Sequence, residues 1–194
     1  MRAAGILLGA GLGLALSAWS AAPPVTGNPL PAVWKEQRIQ FYYAGRTSRY
    51  SCDGLQEKMR ALLLEMGARR DLKISASGCE RAASLQLIFS SPALPEASAK
   101  PLHRGDLSAL DARFEAFTLT NDLAFRNFSI ADCELVEEFT RQVLPKLETR
   151  DIRQDITCVP YQASGSRYLV RGEVLRNLLR DEQQQLGNAE SVVP

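Results

Sequence analysis

The most reactive side chains of this sequence belong to its four cysteines and its single histidine. These residues are Cys52, Cys79, Cys133, Cys158 and His103. A reduced cysteine in the first turn of a helix can act as a redox nucleophile, because the helix N-terminus stabilises the thiolate. A histidine beside a nucleophile and a carboxylate can serve as a general base in hydrolysis. The surroundings of each residue decide between these chemistries and structural roles.

His103 lies within 90–111, a stretch rich in proline, serine and alanine that predicts a long surface loop. A histidine on such a loop is far more often solvated than catalytic. The sequence contains no Gly-x-Ser-x-Gly, His-Glu-x-x-His or phosphate-loop pattern. We therefore assign no catalytic residue. An envelope hydrolase that uses His103 with a carboxylate such as Asp106 is the alternative.

The first twenty residues have the composition of a secretory signal peptide. Arg2 gives a basic start, Ile6 to Ala18 is an apolar run, and Ala18-Trp19-Ser20 places small residues where a signal peptidase cuts. The run is short for spanning a bilayer, although an uncleaved anchor is the alternative. We expect a signal peptide over 1–20 and a periplasmic or secreted mature chain without membrane insertion.

The cysteines of an exported chain most simply form disulfides. The segments that begin at Cys52 and Cys133 resemble each other at an offset of 81 positions, and each ends at a second cysteine. This repeat selects the pairs Cys52 with Cys79 and Cys133 with Cys158. Each bridge would contribute roughly 3 kcal/mol by restricting the unfolded chain. Zinc is the alternative, but no Cys-x-x-Cys or Cys/His cluster has ligand spacing, so we expect no metal and no cofactor.

The predicted mature chain carries no net charge. Removal of residues 1–20 takes away one of 23 basic residues and leaves 22 basic and 22 acidic side chains. Nucleic-acid binding depends on Lys and Arg that neutralise phosphate, and anionic lipids attract polybasic runs. The sequence has neither feature, so nucleic acid and membrane surfaces are not expected partners.

Hydrophobic periodicity predicts strand, helix, strand and strand in each cysteine-containing segment. Ser51 is an N-cap candidate for the first helix, which Gly67 ends, and Asp132 is the candidate for the second, which Pro145 kinks or terminates. The buried helix faces would carry Leu55, Met59, Leu62, Leu63 and Met66, and Val136, Phe139, Val143 and Leu147. The predicted strands are 38–43, 71–77, 84–89, 113–120, 124–130, 152–159 and 167–170, and a C-terminal helix is predicted over 173–186.

The predicted fold is α+β, with two β-α-β-β repeats in one mainly antiparallel sheet and both helices on one face. The other face then needs a cover. The C-terminal helix, the long loop or a second copy of the protein could supply it. A homodimer is therefore one possible assembly. The predicted boundaries are a flexible leader 21–34, one duplicated domain 35–187 with repeats about 38–90 and 112–171, and a tail 188–194.

One part of the chain resembles a family of secreted proteobacterial proteins. The likeness rests on Tyr-Ser-Cys-Asp-Gly-Leu at 50–55 and Gly-Ala-Arg-Arg-Asp-Leu-Lys at 67–73, and it covers roughly residues 38–80. The family is uncharacterised. The resemblance therefore implies a bacterial, exported origin and no particular activity.

The most site-like stretch combines aromatic and arginine side chains around Gly45. Tyr42, Arg46, Arg49 and Tyr50 are residue types enriched at recognition hot spots, and the rings could stack on sugar or peptide groups. The structural alternative is that strand alternation buries every second ring.

These observations favour a non-enzymatic binding or interaction protein of the bacterial cell envelope. Its partner would be a protein, a peptide or a glycan. Besides the hydrolase, the alternative is a purely structural, dimerising domain.

Overall fold

The chain runs through the series strand, helix, strand, strand twice. A computed structural model describes residues 28–79, 82–95, 109–121 and 128–178. Within these residues, two short 3-10 helices, Ile130–Asp132 and Leu144–Lys146, flank the second helix. The main elements are β1 (Leu30–Tyr43), α1 (Cys52–Glu65), β2 (Lys73–Ser77), β3 (Ala83–Ala93), β4 (Ala109–Thr120), α2 (Cys133–Gln142), β5 (Thr149–Thr157) and β6 (Arg167–Asn177).

The six strands of the described residues form one antiparallel sheet in the order β2-β3-β1-β4-β6-β5. The α+β class and the antiparallel sheet are thus confirmed. At the centre, β1 and β4 share only four residue pairs, from Leu30 opposite Ala112 to Val33 opposite Ala109. Beyond this overlap, β1 runs along β3 to Tyr43, and β4 runs along β6 to Thr120. The two halves of the sheet are therefore staggered.

Both helices pack on one face of this sheet. The strand registers place Phe41, Leu85, Phe117 and Val170 on the same face. All four side chains belong to one hydrophobic core with the apolar faces of α1 and α2. Phe41 and Phe117 lie on opposite sides of the short overlap between β1 and β4, so the sheet must curve around the helices to bring them into one core.

The first helix begins and ends at the predicted residues. The Ser51 side chain accepts a hydrogen bond from the Gly54 amide at 3.1 Å, as an N-cap does. Gly67 follows the helix with φ of +82°, a left-handed conformation that glycine adopts without steric cost. The predicted apolar face is buried, since each of its members is 0% exposed: Leu55, Met59, Leu62, Leu63 and Met66.

The second helix also buries its predicted face, but its cap differs from the prediction. The Asp132 side chain makes no cap bond to α2. It instead completes a capping box with Ser129 around the preceding 3-10 helix. Pro145 lies in the 3-10 helix just after α2, which confirms that the α-helix terminates there. All four residues of the predicted face are buried, Val136 and Phe139 within α2 and Val143 and Leu147 just after it.

Both disulfides join the predicted cysteines. Cys52 bonds to Cys79 with a Cα–Cα distance of 5.4 Å, and Cys133 bonds to Cys158 at 5.6 Å. Each bridge ties the start of a helix to the end of the next strand. Because all four thiols are oxidised, the alternative role of Cys52 as a free redox nucleophile has no support.

Strands β1, β3 and β4 extend into ranges that the sequence predicts as leader or loop. β1 begins at Leu30, inside the range predicted as a leader, and β3 and β4 extend into 90–111, which was predicted as a loop. Prolines hid the strand pattern at both places. Pro31 is tolerated because residues 30–32 pair with β4 alone, which leaves one side of the strand without a partner among the described residues.

The predicted C-terminal helix is wrong over its first residues. Glu173 to Asn177 belong to β6, and the remainder of 173–186 beyond Leu178 lies outside the described residues. Val174 faces the main core, whereas Leu175 joins a second buried cluster on the other face with Ala32 and Ala112. Consecutive buried residues on both faces of a strand imitated a helical pattern.

The predicted strand over 124–130 is also not confirmed. Ile130 begins a 3-10 helix, and Phe128 and Ser129 lie in no strand. Residues 124–127 lie outside the described ranges.

We expect the replacement of Leu62 by alanine to lower the free energy of unfolding by about 3 kcal/mol, because the change opens a cavity in the main core. Glu57→Ala, on the exposed side of the same helix, is the matched control and should have little effect. Urea denaturation of both variants measures the difference. Equal losses would contradict the packing of α1 described above.

Candidate functional site

Two loops meet beside the first turn of α2. The first loop, 44–51, follows β1, and the second loop, 158–166, joins β5 to β6. The Thr47 hydroxyl donates to the Val159 carbonyl at 3.1 Å and so ties the loops together. Between them lies a cleft of about 280 Å³, here called the loop cleft, lined by Tyr43, Ala44, Gly45, Arg46, Glu134, Glu137, Glu138, Cys158 and Pro160.

The first loop takes its shape from hydrogen bonds to the start of α2. One oxygen of the Glu134 carboxylate accepts from the backbone amides of Arg46, at 2.7 Å, and Thr47, at 2.9 Å. The Ser48 hydroxyl donates to the Ala131 carbonyl at 2.6 Å. These bonds fix the backbone and leave the Arg46 side chain exposed.

Tyr43 and Gly45 close the base of the first loop. The Tyr43 hydroxyl donates to the Ser48 carbonyl at 2.8 Å. A Cβ atom at position 45 would lie 1.9 Å from that hydroxyl, so only glycine fits there. Burial, and next the nearby Glu134 carboxylate, raise the pKa of Tyr43 above its ordinary value of 10.0. Its hydroxyl therefore stays protonated and able to donate.

A buried carboxylate joins this loop to both helices. Asp132 is only 2% exposed. Its Oδ1 accepts from the Tyr50 hydroxyl at 2.6 Å and lies 2.9 Å from Nζ of Lys58 in α1. Its Oδ2 accepts from the Ser129 amide at 2.7 Å. The Lys58 ammonium also lies 4.6 Å from the ring centre of Phe128, a cation–π contact.

The contacts of Asp132 make Tyr50 a structural residue. Desolvation by burial, followed by its hydrogen bond to Asp132, raises the pKa of Tyr50 well above 10.0. The ring also packs against Tyr43, with the centroids 5.4 Å apart. Tyr50 was predicted as a binding residue, but its hydroxyl already has a partner inside the protein.

The other predicted site residues lie on two different surfaces. Tyr42 is 60% exposed, on the sheet face opposite the main core. Arg46 is exposed at the loop cleft, and exposed Arg49 lines a small adjacent cavity that also borders Tyr43 and Gly45. The structure thus places the two arginines on the first loop near a common wall and separates Tyr42 from the loop cleft.

Tyr161, which sequence reasoning did not single out, is the most exposed large hydrophobic residue of the described ranges. Its side chain is 80% exposed, and its backbone φ is +65°, an uncommon conformation for a residue other than glycine. It follows Pro160, which lines the loop cleft. The Ser166 hydroxyl accepts from the Val159 amide at 2.9 Å and so helps hold this turn. The only available signal was the turn composition of 160–165.

Acidic and basic groups face each other across the loop cleft. Glu134, Glu137 and Glu138 lie along α2, opposite Arg46 on the first loop. Glu138 also forms an ion pair with Arg141. In the described ranges, no three His, Cys, Asp or Glu side chains are grouped so that they could hold a metal ion.

Several sequence predictions lie outside the described residues. His103 and Asp106 are among them, so the hydrolase alternative stays a prediction. The predicted signal peptide also lies outside. No helix in the part of the chain that the structure describes is long and apolar enough to cross a membrane.

Comparison of the chain with protein-family models, with curated proteins and with solved structures found no match.

We expect protein stability to fall as the pH rises above 10. In the unfolded chain Tyr50 ionises near its ordinary pKa of 10.0, whereas the folded protein holds it neutral to higher pH. The stabilisation is therefore complete below pH 10 and is lost as the pH rises towards the folded-state pKa. Tyr43 and Tyr168 have raised pKa values, chiefly through burial, and add to the same trend.

The test is chemical denaturation of the wild type and Tyr50→Phe at several pH values from 8 to 11. The variant should lose less stability per pH step, because phenylalanine cannot ionise. Tyr42→Phe, at an exposed tyrosine, is the matched control and should keep the wild-type slope. An unchanged slope in Tyr50→Phe would show that Tyr50 is not buried as described.

Proposed function

We propose that this protein is an exported, non-enzymatic binding protein of the bacterial cell envelope that holds a protein, peptide or glycan partner at the loop cleft. Its two disulfides suit an oxidising compartment. The signal-peptide composition of residues 1–20 and the resemblance of 38–80 to secreted proteobacterial proteins support export from a bacterial cell.

The observation that carries this proposal is that two loops joined by a hydrogen bond each present an exposed side chain, Arg46 on the first loop and Tyr161 on the second. Both side chains are exposed, and the bond from Thr47 to Val159 joins their loops. Arginine and tyrosine are enriched among residues that dominate binding energies. A fixed loop loses little conformational entropy when a partner binds, so more of the contact energy appears as affinity.

The dimensions and charges of the loop cleft limit the kind of ligand. A volume of about 280 Å³ suits one or two side chains of a polypeptide, or one sugar ring. Arg46 would meet an acidic or carbonyl group, and Glu137 would meet a basic group or a hydroxyl. The exposed ring of Tyr161 would cover an apolar surface such as a sugar face.

Binding is favoured over catalysis because Glu134 and Tyr43, two of the polar side chains that line the loop cleft, already have structural partners. Glu134 accepts from two backbone amides, and Tyr43 donates to the Ser48 carbonyl. A general base needs a free lone pair that can reach a substrate proton. These two side chains hold the loops in place.

We also propose that the two halves of the domain arose by duplication. Each half contributes the order strand, helix, strand, strand and one disulfide between the helix start and the end of the next strand. The strand order is symmetrical about the contact of β1 with β4.

The binding proposal can be tested with a photo-reactive amino acid at position 161 or 42 of the exported protein. Irradiation in the cell should capture a partner from 161 and little from 42. Arg46→Ala should then reduce capture at 161 by about tenfold, the effect expected of a binding hot spot. Mass spectrometry of the adduct distinguishes a polypeptide from a glycan.

Arg153→Ala is the matched control, since Arg153 is an exposed arginine on β5. It should leave capture unchanged, and both arginine variants should keep the wild-type melting temperature. Capture from 42 alone, or full capture in Arg46→Ala, would overturn the assignment of the loop cleft.

A further inference from the structure

The two outer strands of the sheet differ in how their free edges are protected. β2 and β5 are the outer strands. An unprotected edge presents a row of backbone donors and acceptors that another strand can pair with. Natural proteins block such edges with charges and β-bulges.

The β5 edge carries both protective features. Its pairing with β6 is interrupted between Arg150 and Arg153, and Asp151 there has φ of +55°. Arg153 and Asp155 add exposed charges along the strand. A second strand is therefore difficult to add at β5.

The β2 edge has neither an irregularity nor a run of charges. Its five residues pair regularly with β3, and no backbone hydrogen bond from Lys73–Ser77 to another described segment is present. Lys73, Ser75 and Ser77 are exposed, and Lys73 is the one charged residue of the strand. Among the described residues, nothing pairs with this edge, and it can accept a further strand.

We propose that β2 pairs with β2 of a second copy, antiparallel and about a two-fold axis at Ser75, so that one sheet continues through both copies. An antiparallel strand edge is self-complementary under a two-fold axis. In this register Ser75 lies opposite Ser75 of the second copy, and Lys73 lies opposite Ser77. No like charges face each other within the paired strands.

The same register extends the hydrophobic core across the interface. Ile74 and Ala76 are half-buried and lie beside the buried Leu87 and Leu85 of β3. In the dimer Ile74 of one copy lies opposite Ala76 of the other, so two half-covered apolar side chains gain a neighbour on their open side. Apolar area removed from water at this point stabilises the dimer.

The charges of the neighbouring helix α1 also suit a second copy. Asp53, Glu57 and Arg60 are the exposed charged residues of this helix. Asp53 and Arg60 are seven residues apart and lie on one stripe, whereas Glu57 is turned about 40° to 60° away from it. Lys58, which contacts Asp132 of the other half, lies on nearly the opposite side. Two antiparallel α1 helices side by side would bring Asp53 of each copy towards Arg60 of the other, which is an attractive arrangement. If β5 paired in the same way with β5 of a second copy, about a two-fold axis at its central residue, Arg153 would lie opposite Arg153 of that copy.

The experiment measures the molecular mass of the disulfide-bonded protein by sedimentation over a dilution series. The wild type should dimerise. Ser75→Lys and Ser75→Glu should each raise the dimer dissociation constant by about fivefold or more, because like charges then lie directly opposite. An equal mixture of the two variants should recover dimers. Gln154→Lys, on the exposed β5 edge, is the matched control and should dimerise as the wild type does.

Circular dichroism establishes that each variant is folded. A wild type that is monomeric up to its solubility limit would overturn the proposal, as would dimers of unchanged stability in both Ser75 variants. Dissociation caused by Gln154→Lys would place the contact at β5 instead. A monomeric wild type that loses an envelope partner on Ser75→Lys would show that the added strand comes from another protein.

Discussion

The structure depends on the hydrogen bonds made by the backbone of β1 on the side where no strand pairs with it beyond the short overlap with β4. β1 and β4 share only four residue pairs, so the backbone groups on this side of β1 beyond the overlap need other partners. Side chains from α2 supply these at the far end of β1. The side-chain amide of Gln142 accepts a hydrogen bond from the Tyr42 N–H at 2.9 Å and donates one to the Tyr42 carbonyl at 2.7 Å, as a neighbouring strand would. Glu134 continues this role for the loop that follows.

This use of α2 links the two halves of the domain and fixes the candidate site. The helix begins at the disulfide to Cys158, which directly follows β5, and it projects Glu134 and Gln142 towards β1 and the first loop. Next to it, buried Asp132 binds Lys58 of α1 and Tyr50 of the first loop. A buried ion pair is costly to disrupt, because removal of one partner leaves the other charge uncompensated. The exposed side chains at the loop cleft therefore stand on a backbone that several independent contacts hold in place.

Local patterns in the sequence predicted the helices and the disulfides, because caps, apolar faces and cysteine spacing are encoded within a few turns of chain. They missed the start of β1, the end of β3 and the end of β6, whose strand form depends on distant partners. For the site, the sequence predicted Arg46, Arg49 and Tyr50 as binding residues. Both arginines are exposed, but the Tyr50 hydroxyl bonds to Asp132, and nothing in the sequence indicated this contact because the two residues are 82 positions apart. Tyr161 was missed because its exposure results from the position of a turn relative to another loop. Its residue type alone carries no such information.

The central claim is that contacts with α2 hold the first loop in its binding shape before any partner arrives. Amide hydrogen exchange of Arg46 and Thr47 tests it most directly, because both amides donate to the Glu134 carboxylate. We expect slow exchange in the unliganded wild type, and fast exchange at these two amides in Glu134→Ala with the core strands unchanged. Fast exchange of both amides in the wild type would contradict a preformed loop.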